Sequence, residues 1–160
     1  MWRSCGEAAA AGRSVYLYGG SQQTLDLLCT RLRGAYPSLE IAGAVSPPYR
    51  QLTTEEDAVE VERINASGAG LLFVGLGCPK QERWMEDHRG QVHAVMIGVG
   101  AAFDYHAGTL PRAPGWMQRF GLEWVHRLPC RVRQRFVARP LGVLGEVRSP
   151  GDVRDRGQSL

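Results

Sequence analysis

Regular patterning begins at Ser14, where Ser14-Val-Tyr-Leu-Tyr18 is a short β-rich run closed by Gly19-Gly20. Ser21 then stands where a helix N-cap belongs, and Leu25, Leu28 and Leu32 recur at helical spacing to form one apolar stripe. The same strand, turn and helix order repeats along the chain. Leu39 to Val45 reads as a second buried strand, and Ser46-Pro-Pro-Tyr-Arg50 as a loop, because two prolines remove two backbone donors. Thr53-x-x-Glu56 is a capping box whose hydroxyl and carboxylate satisfy opposite orphan N–H groups, and Val59 with Arg63-Ile64 carries the helical period to Ser67-Gly68. Leu71-Leu-Phe-Val74 is the third strand, Pro79 to about His88 a helix with proline in its first turn, and Val92 to Val99 the fourth strand.

These strand runs are apolar without alternation, which predicts strands covered on both faces. Separated by helices, they predict a doubly wound, Rossmann-like α/β layer around a parallel sheet. In such sheets ligands bind beyond the strand C-termini. Those ends are Tyr18-Gly-Gly-Ser21, Val45 to Arg50, Gly75 to Glu82 and Gly98 to Gly108. From Arg112 the pattern changes to short Arg-rich helical segments carrying Trp116, Met117, Phe120, Leu122, Trp124 and Leu128, broken at Pro114, Pro129 and Pro140. The expected organisation is therefore an α/β domain over 1–111, an Arg-rich helical appendage over 112–145 and a polar, disordered tail over 146–160. No internal repeat is evident.

Composition narrows the class. With 160 residues, 44% hydrophobic and 22% charged, the chain has the make-up of an ordinary globular domain and needs neither disulfide nor metal to hold a core. Cys5, Cys29, Cys78 and Cys130 form no C-x-x-C pair and no zinc spacing, so a reduced, cytosolic chain is expected. The longest nearly apolar stretch, Ala94 to Phe103, is too short to cross a bilayer, and the first residues lack a signal-peptide core. The net charge of +3 is unevenly spread: up to Pro111 there are 8 Arg, 1 Lys and 12 acids, and from Arg112 onward 10 Arg and 4 acids. A GC-rich genome would favour Arg over Lys without any function, but the C-terminal concentration also suits anionic partners.

Gly75-Leu-Gly-Cys-Pro-Lys-Gln-Glu82 begins like a dinucleotide fingerprint but lacks the third glycine, and no G-x-x-x-x-G-K-[S/T] occurs, which argues against dinucleotide and P-loop chemistry. The segment supplies a glycine turn and a helix N-terminus that favours an anion, with Lys80, Gln81 and Glu82 at its mouth. A plain turn with Lys80 and Glu82 solvated explains the residues equally well. Gly98-Val-Gly-Ala-Ala-Phe-Asp-Tyr-His-Ala-Gly108 is less ordinary: three glycines and three alanines let a ligand approach the backbone around Asp104 and His106. An Asp there is suited to accept from sugar hydroxyls. Asp104-x-His106 as a metal pair is weaker, because no third ligand accompanies it. His88, His93 and His126 read as packing or surface residues. Arg112, Arg119, Arg127, Arg131, Arg133, Arg135 and Arg139, with Trp and Phe between them, suit a diphosphate, an anionic membrane face or nucleic acid.

Ser46-Pro-Pro-Tyr-Arg50, Gly75 to Glu82, Gly98 to Gly108, Arg112-Ala-Pro114 and Gly121-Leu-Glu-Trp124 with Arg127-Leu128 together closely resemble the bacterial WecB/TagA/CpsF glycosyltransferases. That family contains UDP-N-acetylmannosaminuronic acid transferases and teichoic-acid N-acetylmannosaminyltransferases. The resemblance covers about Ser14 to Arg139. It implies a Rossmann-like domain without metal or other cofactor that moves a hexosamine-type sugar, with inversion, from UDP to a polyprenyl-diphosphate-linked acceptor at the cytoplasmic membrane face. Carried over by motif, Tyr49 would stack on uracil, Asp104 would accept from the ribose, and Gln81 would line the sugar end of the pocket. Lys80, Glu82 and His106 would complete the substrate site, while Arg112, Arg119 and Arg127 would meet a diphosphate of nucleotide or lipid.

Two departures qualify the resemblance. Members of the family carry an N-terminal T-x-N segment and an Asp-Gly segment that supply the presumed base, and neither precedes the Val15 strand here. The base would then have to be Asp104, or else be supplied by a sequence not present here, and the alternative is a truncated, non-catalytic remnant that keeps nucleotide and lipid binding. Pro129-Cys130 and Arg135-Phe136 also replace the usual Glu-Pro and Arg-Arg-Tyr, which predicts an altered end to the appendage. A nucleic-acid-binding module is a weaker reading, because no helix-turn-helix, zinc or RNP signature accompanies the charge. An open sheet edge in a shortened chain would also favour association into homo-oligomers.

Overall fold

The computed structural model describes residues 1–110, within the first of two units into which the chain divides, Met1–Arg112. The expected appendage over 112–145, the tail over 146–160, and with them Arg112, Arg119, Arg127 and His126, lie outside the described residues. The described elements are α1 (Trp2–Ala10), β1 (Val15–Gly19), α2 (Gln22–Ala35), β2 (Ile41–Val45), α3 (Thr54–Ala66), β3 (Leu71–Gly75), α4 (Lys80–Asp87), β4 (Val95–Gly98) and α5 (Ala102–Ala107).

The four strands form one sheet in the order β2-β1-β3-β4, and every neighbouring pair is parallel. The expected α/β Rossmann-like layer is therefore present. The chain leaves β1 for one side of it and returns to β3 on the other, so the topological switch point lies between the C-terminal ends of β1 and β3.

Alternation along β1 divides the core into two layers. Val15 and Leu17 face Cys5 and Ala8 of α1, Leu25, Leu28 and Leu32 of α2, and Phe103 and Ala107 of α5. Tyr16 and Tyr18 face Val61 and Ile64 of α3, with Trp84 and Met85 of α4 packed alongside. Each buried leucine of the α2 stripe removes enough apolar surface to stabilise the fold by roughly 1.5–3 kcal/mol. The helices start where their chemistry dictates. Ser21 Oγ accepts from the Thr24 N–H, and the Thr53–Glu56 capping box opens α3 with both reciprocal bonds in place.

Some expectations need correction. β1 and the middle of β3 are buried on both faces, but β2 is half-buried throughout and Val95 of β4 is 62% exposed, because these two are the outer strands of the sheet among the described residues. Strand β2 starts at Ile41 rather than Leu39, and β4 spans Val95–Gly98 rather than Val92 to Val99. Pro79 is the N-cap of α4, one position before the first turn. Two helices were not anticipated. Helix α1 precedes the first strand without a side-chain cap, and α5 forms inside the glycine-rich stretch after β4, buried through Phe103 and Ala107 and stopped by Gly108 at φ 74°.

Candidate functional site

Hydrogen bonds tie all four strand ends together. The Gly20 N–H, just past β1, donates to the Gly75 carbonyl at the end of β3 (3.1 Å). Ser46 Oγ, just past β2, donates to the Gly20 carbonyl (2.6 Å). Thr24 Oγ1, in the first turn of α2, donates to Asp104 Oδ1 beyond β4 (3.1 Å), and the Gly100 N–H donates to Gln81 Oε1 (2.9 Å). Phe103 seals the floor beneath, its ring against the places where Gly20 and Gly75 would carry side chains. The segments singled out from the sequence thus meet around the switch point.

Asp104 sits in the first turn of α5 and is half-buried. Its Oδ1 accepts from two hydroxyls, those of Thr24 (3.1 Å) and Thr109 (3.3 Å), while Oδ2 has no hydrogen-bond partner among the described residues. Gln81 is only 7% exposed and both ends of its amide are engaged, Oε1 by Gly100 and Nε2 by donation to Glu82 Oε1 (2.9 Å). Its side chain therefore works as a strut between α4 and the loop after β4. Lys80 and Glu82 are exposed in the first turn of α4, where an ammonium and the helix dipole both attract negative charge.

Tyr49 is 92% exposed on the proline loop, an aromatic face available for stacking. The loop is anchored beside it: Arg50 forks onto both carboxylate oxygens of Glu56 (2.6 Å each), while Glu56 also caps α3 through the Thr53 N–H. The Arg50 guanidinium first, and the Thr53 N–H after it, hold the Glu56 carboxyl down to about 2. His106 lies at the other end of α5, its ring stacked on Trp2 of α1 (5.1 Å between centroids) and its carbonyl accepting from Arg31 (3.2 Å). The geometry thus joins Asp104 and Gln81 through the loop after β4 and engages His106 with α1 and α2.

Other polar residues hold the scaffold. His88, buried, places Nδ1 on the Trp84 carbonyl and Nε2 on Asp57 Oδ2, both at 2.7 Å, and tethers α4 to α3. His93 is exposed and its N–H donates to Asn65. Burial pushes the Cys5 thiol up to about 11 and raises that of Cys29, so both behave as small apolar core residues. Among the described residues no three His, Cys, Asp or Glu side chains gather as a metal site, and no helix is long and apolar enough to cross a membrane.

Thr24, Ser46 and Thr109 are the site residues that sequence reasoning missed. Thr24 carried a signal: it adjoins Leu25 and Leu28 on the buried face of α2, where a hydroxyl needs a partner. Ser46 and Thr109 carried none, since each acts through a partner remote in sequence or at a helix end.

The strand ends of this doubly wound sheet thus gather an oriented carboxylate, an exposed aromatic and helix N-termini. The chain matches the glycosyl transferase WecG/TagA/CpsF family over residues 1–148, and it belongs to that family. It is similar to N-acetylglucosaminyldiphosphoundecaprenol N-acetyl-beta-D-mannosaminyltransferase of Bacillus subtilis (strain 168), at 32% identity over 124 residues. That alignment covers 77% of this chain and 46% of the relative, so the chain spans about half the length of the curated relative it matches.

Proposed function

We propose that this chain binds a UDP-sugar across its strand ends and serves transfer of a hexosamine-type sugar, N-acetylmannosamine or its uronic acid, to a polyprenyl-diphosphate-linked acceptor in cell-surface polysaccharide or teichoic-acid synthesis. The observation that carries the reading is the fixed Asp104 carboxylate, with one oxygen engaged and one without a partner among the described residues, at the switch point of a chain in this family. Tyr49 offers its ring to the uracil, Asp104 Oδ2 accepts from a ribose hydroxyl, and Gln81 holds the loop around Gly100 at the sugar end. Lys80 and the α4 N-terminus favour the diphosphate, with Glu82 fixed against Gln81 beside them, and His106 supports the far end of α5.

In the transfer step the acceptor hydroxyl oxygen bonds to the anomeric carbon from the face opposite UDP, the bond from that carbon to the diphosphate oxygen breaks, and the configuration inverts. The electron pair leaves on the diphosphate, whose charge Arg112, Arg119 and Arg127 compensate without a metal ion. The acceptor's proton passes to a base, a role Asp104 fills only with Oδ2 turned to the acceptor hydroxyl in place of the ribose. The same arginines hold the chain at the anionic inner face of the membrane.

The test pairs UDP calorimetry with a transfer assay using UDP-N-acetylmannosamine and a short-chain polyprenyl-diphosphate-N-acetylglucosamine acceptor. Asp104→Asn should weaken UDP binding and leave the melting temperature unchanged. A kcat loss of about 10²–10⁴ with UDP binding retained would assign Asp104 the base in place of the ribose contact. An equal fall in stability and binding would make it a structural residue. Absence of UDP binding by the unaltered chain would overturn the reading.

A further inference from the structure

The carboxylate at the switch point is held by a directed chain of hydroxyls. A carboxylate oxygen accepts, so in the 3.1 Å contact Thr24 is the donor to Oδ1. A hydroxyl has one proton, and Thr24 has spent it. The 2.9 Å contact between the Ser21 and Thr24 oxygens is therefore donated by Ser21. Ser21 Oγ in turn accepts from the Thr24 N–H (3.1 Å), so the chain is rooted in the cap of α2. Thr109, beyond α5, brings a second hydroxyl, whose one proton is shared between the Asp104 carbonyl (3.1 Å) and the same Oδ1 (3.3 Å). The undivided donor from Thr24, with the shared one from Thr109, fixes the rotation of the carboxylate and satisfies that oxygen within the protein. Thr24 is only 4% exposed, so its side chain has a single packed position from which to do this.

We propose that Thr24 is a positioning residue for ligand recognition: its hydroxyl, joined by that of Thr109, occupies Asp104 Oδ1 and reserves Oδ2 for a hydroxyl of the bound nucleotide sugar. The inference rests on the UDP-sugar reading above and adds to it the residue that sets the carboxylate's orientation. The α2 N-terminus thereby acts on specificity indirectly, by aiming an acid carried on another helix. It also links the β1 and β4 ends, so that the strand-end loops present one geometry to a ligand.

The experiment uses the full chain and UDP as the probe. Thr24→Val keeps the shape and removes the donor, Thr24→Ser keeps the donor, and Thr109→Ala removes the second donor from an exposed position where folding is not at risk. Calorimetry should show UDP binding about tenfold weaker in Thr24→Val, as expected for loss of a hydrogen bond to a charged group. Thr24→Ser should stay within about twofold of the unaltered chain, and Thr109→Ala should show a smaller loss in the same direction. In an Asp104→Asn background Thr24→Val should cost nothing further, because the group it aims is gone. Thr24→Val binding UDP as the unaltered chain does, or weakening it equally with and without the Asp104 carboxylate, would overturn the assignment while leaving the UDP reading standing. No UDP binding by the unaltered chain would bring down both.

Discussion

Gly75 is a position where a single added methyl group reaches both the core and the candidate site. A methyl group there would lie 2.6 Å from both Cδ2 and Cε2 of Phe103, against an ordinary contact distance of 3.4–4 Å. Its backbone has no left-handed φ, so the constraint is space alone. Gly75→Ala therefore requires the ring to retreat by roughly 1 Å, and Phe103, at 1% exposure, has no open space behind it. Overpacking of this kind costs about 1–3 kcal/mol. At roughly 4 °C per kcal/mol for a chain of this length, the melting temperature should fall by about 4–12 °C. Phe103 directly precedes Asp104 in α5, so any part of the retreat taken up by the helix backbone would disturb the 3.1 Å bond from Thr24 and weaken UDP binding. Thermal unfolding followed by circular dichroism reads the first effect and UDP calorimetry the second. A Gly75→Ala chain that melts within about 1 °C of the unaltered one and binds UDP equally would show that Phe103 is not the floor of the site.

Other consequences are as direct. His88→Ala leaves Asp57 without its 2.7 Å partner and removes the ring stacked on Trp84; with Asp57 about one-third exposed, the loss should be about 2 kcal/mol, read by urea unfolding, and an unchanged midpoint would deny the tether its role. Glu56 contributes stability above its ordinary value of 4.5 and loses it as pH falls through about 2, so Glu56→Gln should flatten the acid limb of the unfolding profile within that window; an identical limb would refute the fork and cap. UDP binding should persist in EDTA, and its collapse on chelation would require a metal. Flotation with anionic but not neutral vesicles is expected, each C-terminal Arg near the surface contributing roughly 1 kcal/mol; equal recovery with both, or no change on deleting residues 112–160, would contradict membrane attachment.

How much of this was legible follows from range. The capping box at Thr53, the leucine stripe of α2 and the apolar cores of β1 and β3 are local patterns, and the structure repeats them. The sheet's edges are a matter of strand order, which no local run encodes: Val95 sits in an apolar segment like that of Leu72, yet one is exposed on the last strand and the other buried in the third. Helix α5 was obscured because glycine density before Ala102 reads as loop. Its signal was the pair Phe103 and Ala107, four residues apart and both buried, followed by glycine at the stop.

The site divides along the same line. Asp104 could be picked out because an acid among glycines and alanines at a strand end has few structural reasons to be there, whereas Tyr49 was carried by the family resemblance and Lys80 was equally explained by a solvated turn. What could not be read was which of them would face a ligand and which would be used by the protein itself. Gln81 lies in the same motif as Lys80, yet its amide is consumed at both ends while Lys80 is exposed, because the first turn of α4 directs one inward against Gly98 and Gly100 and the other outward. Thr24 shows the converse. It lies 80 residues from Asp104 in sequence, and only the parallel order β1-β3-β4, which brings the β1 and β4 ends to one rim, turns a helix-stripe threonine into the group that orients the acid. A motif thus identifies where chemistry gathers, and the pairing of strand ends decides which atom of each side chain remains for the ligand.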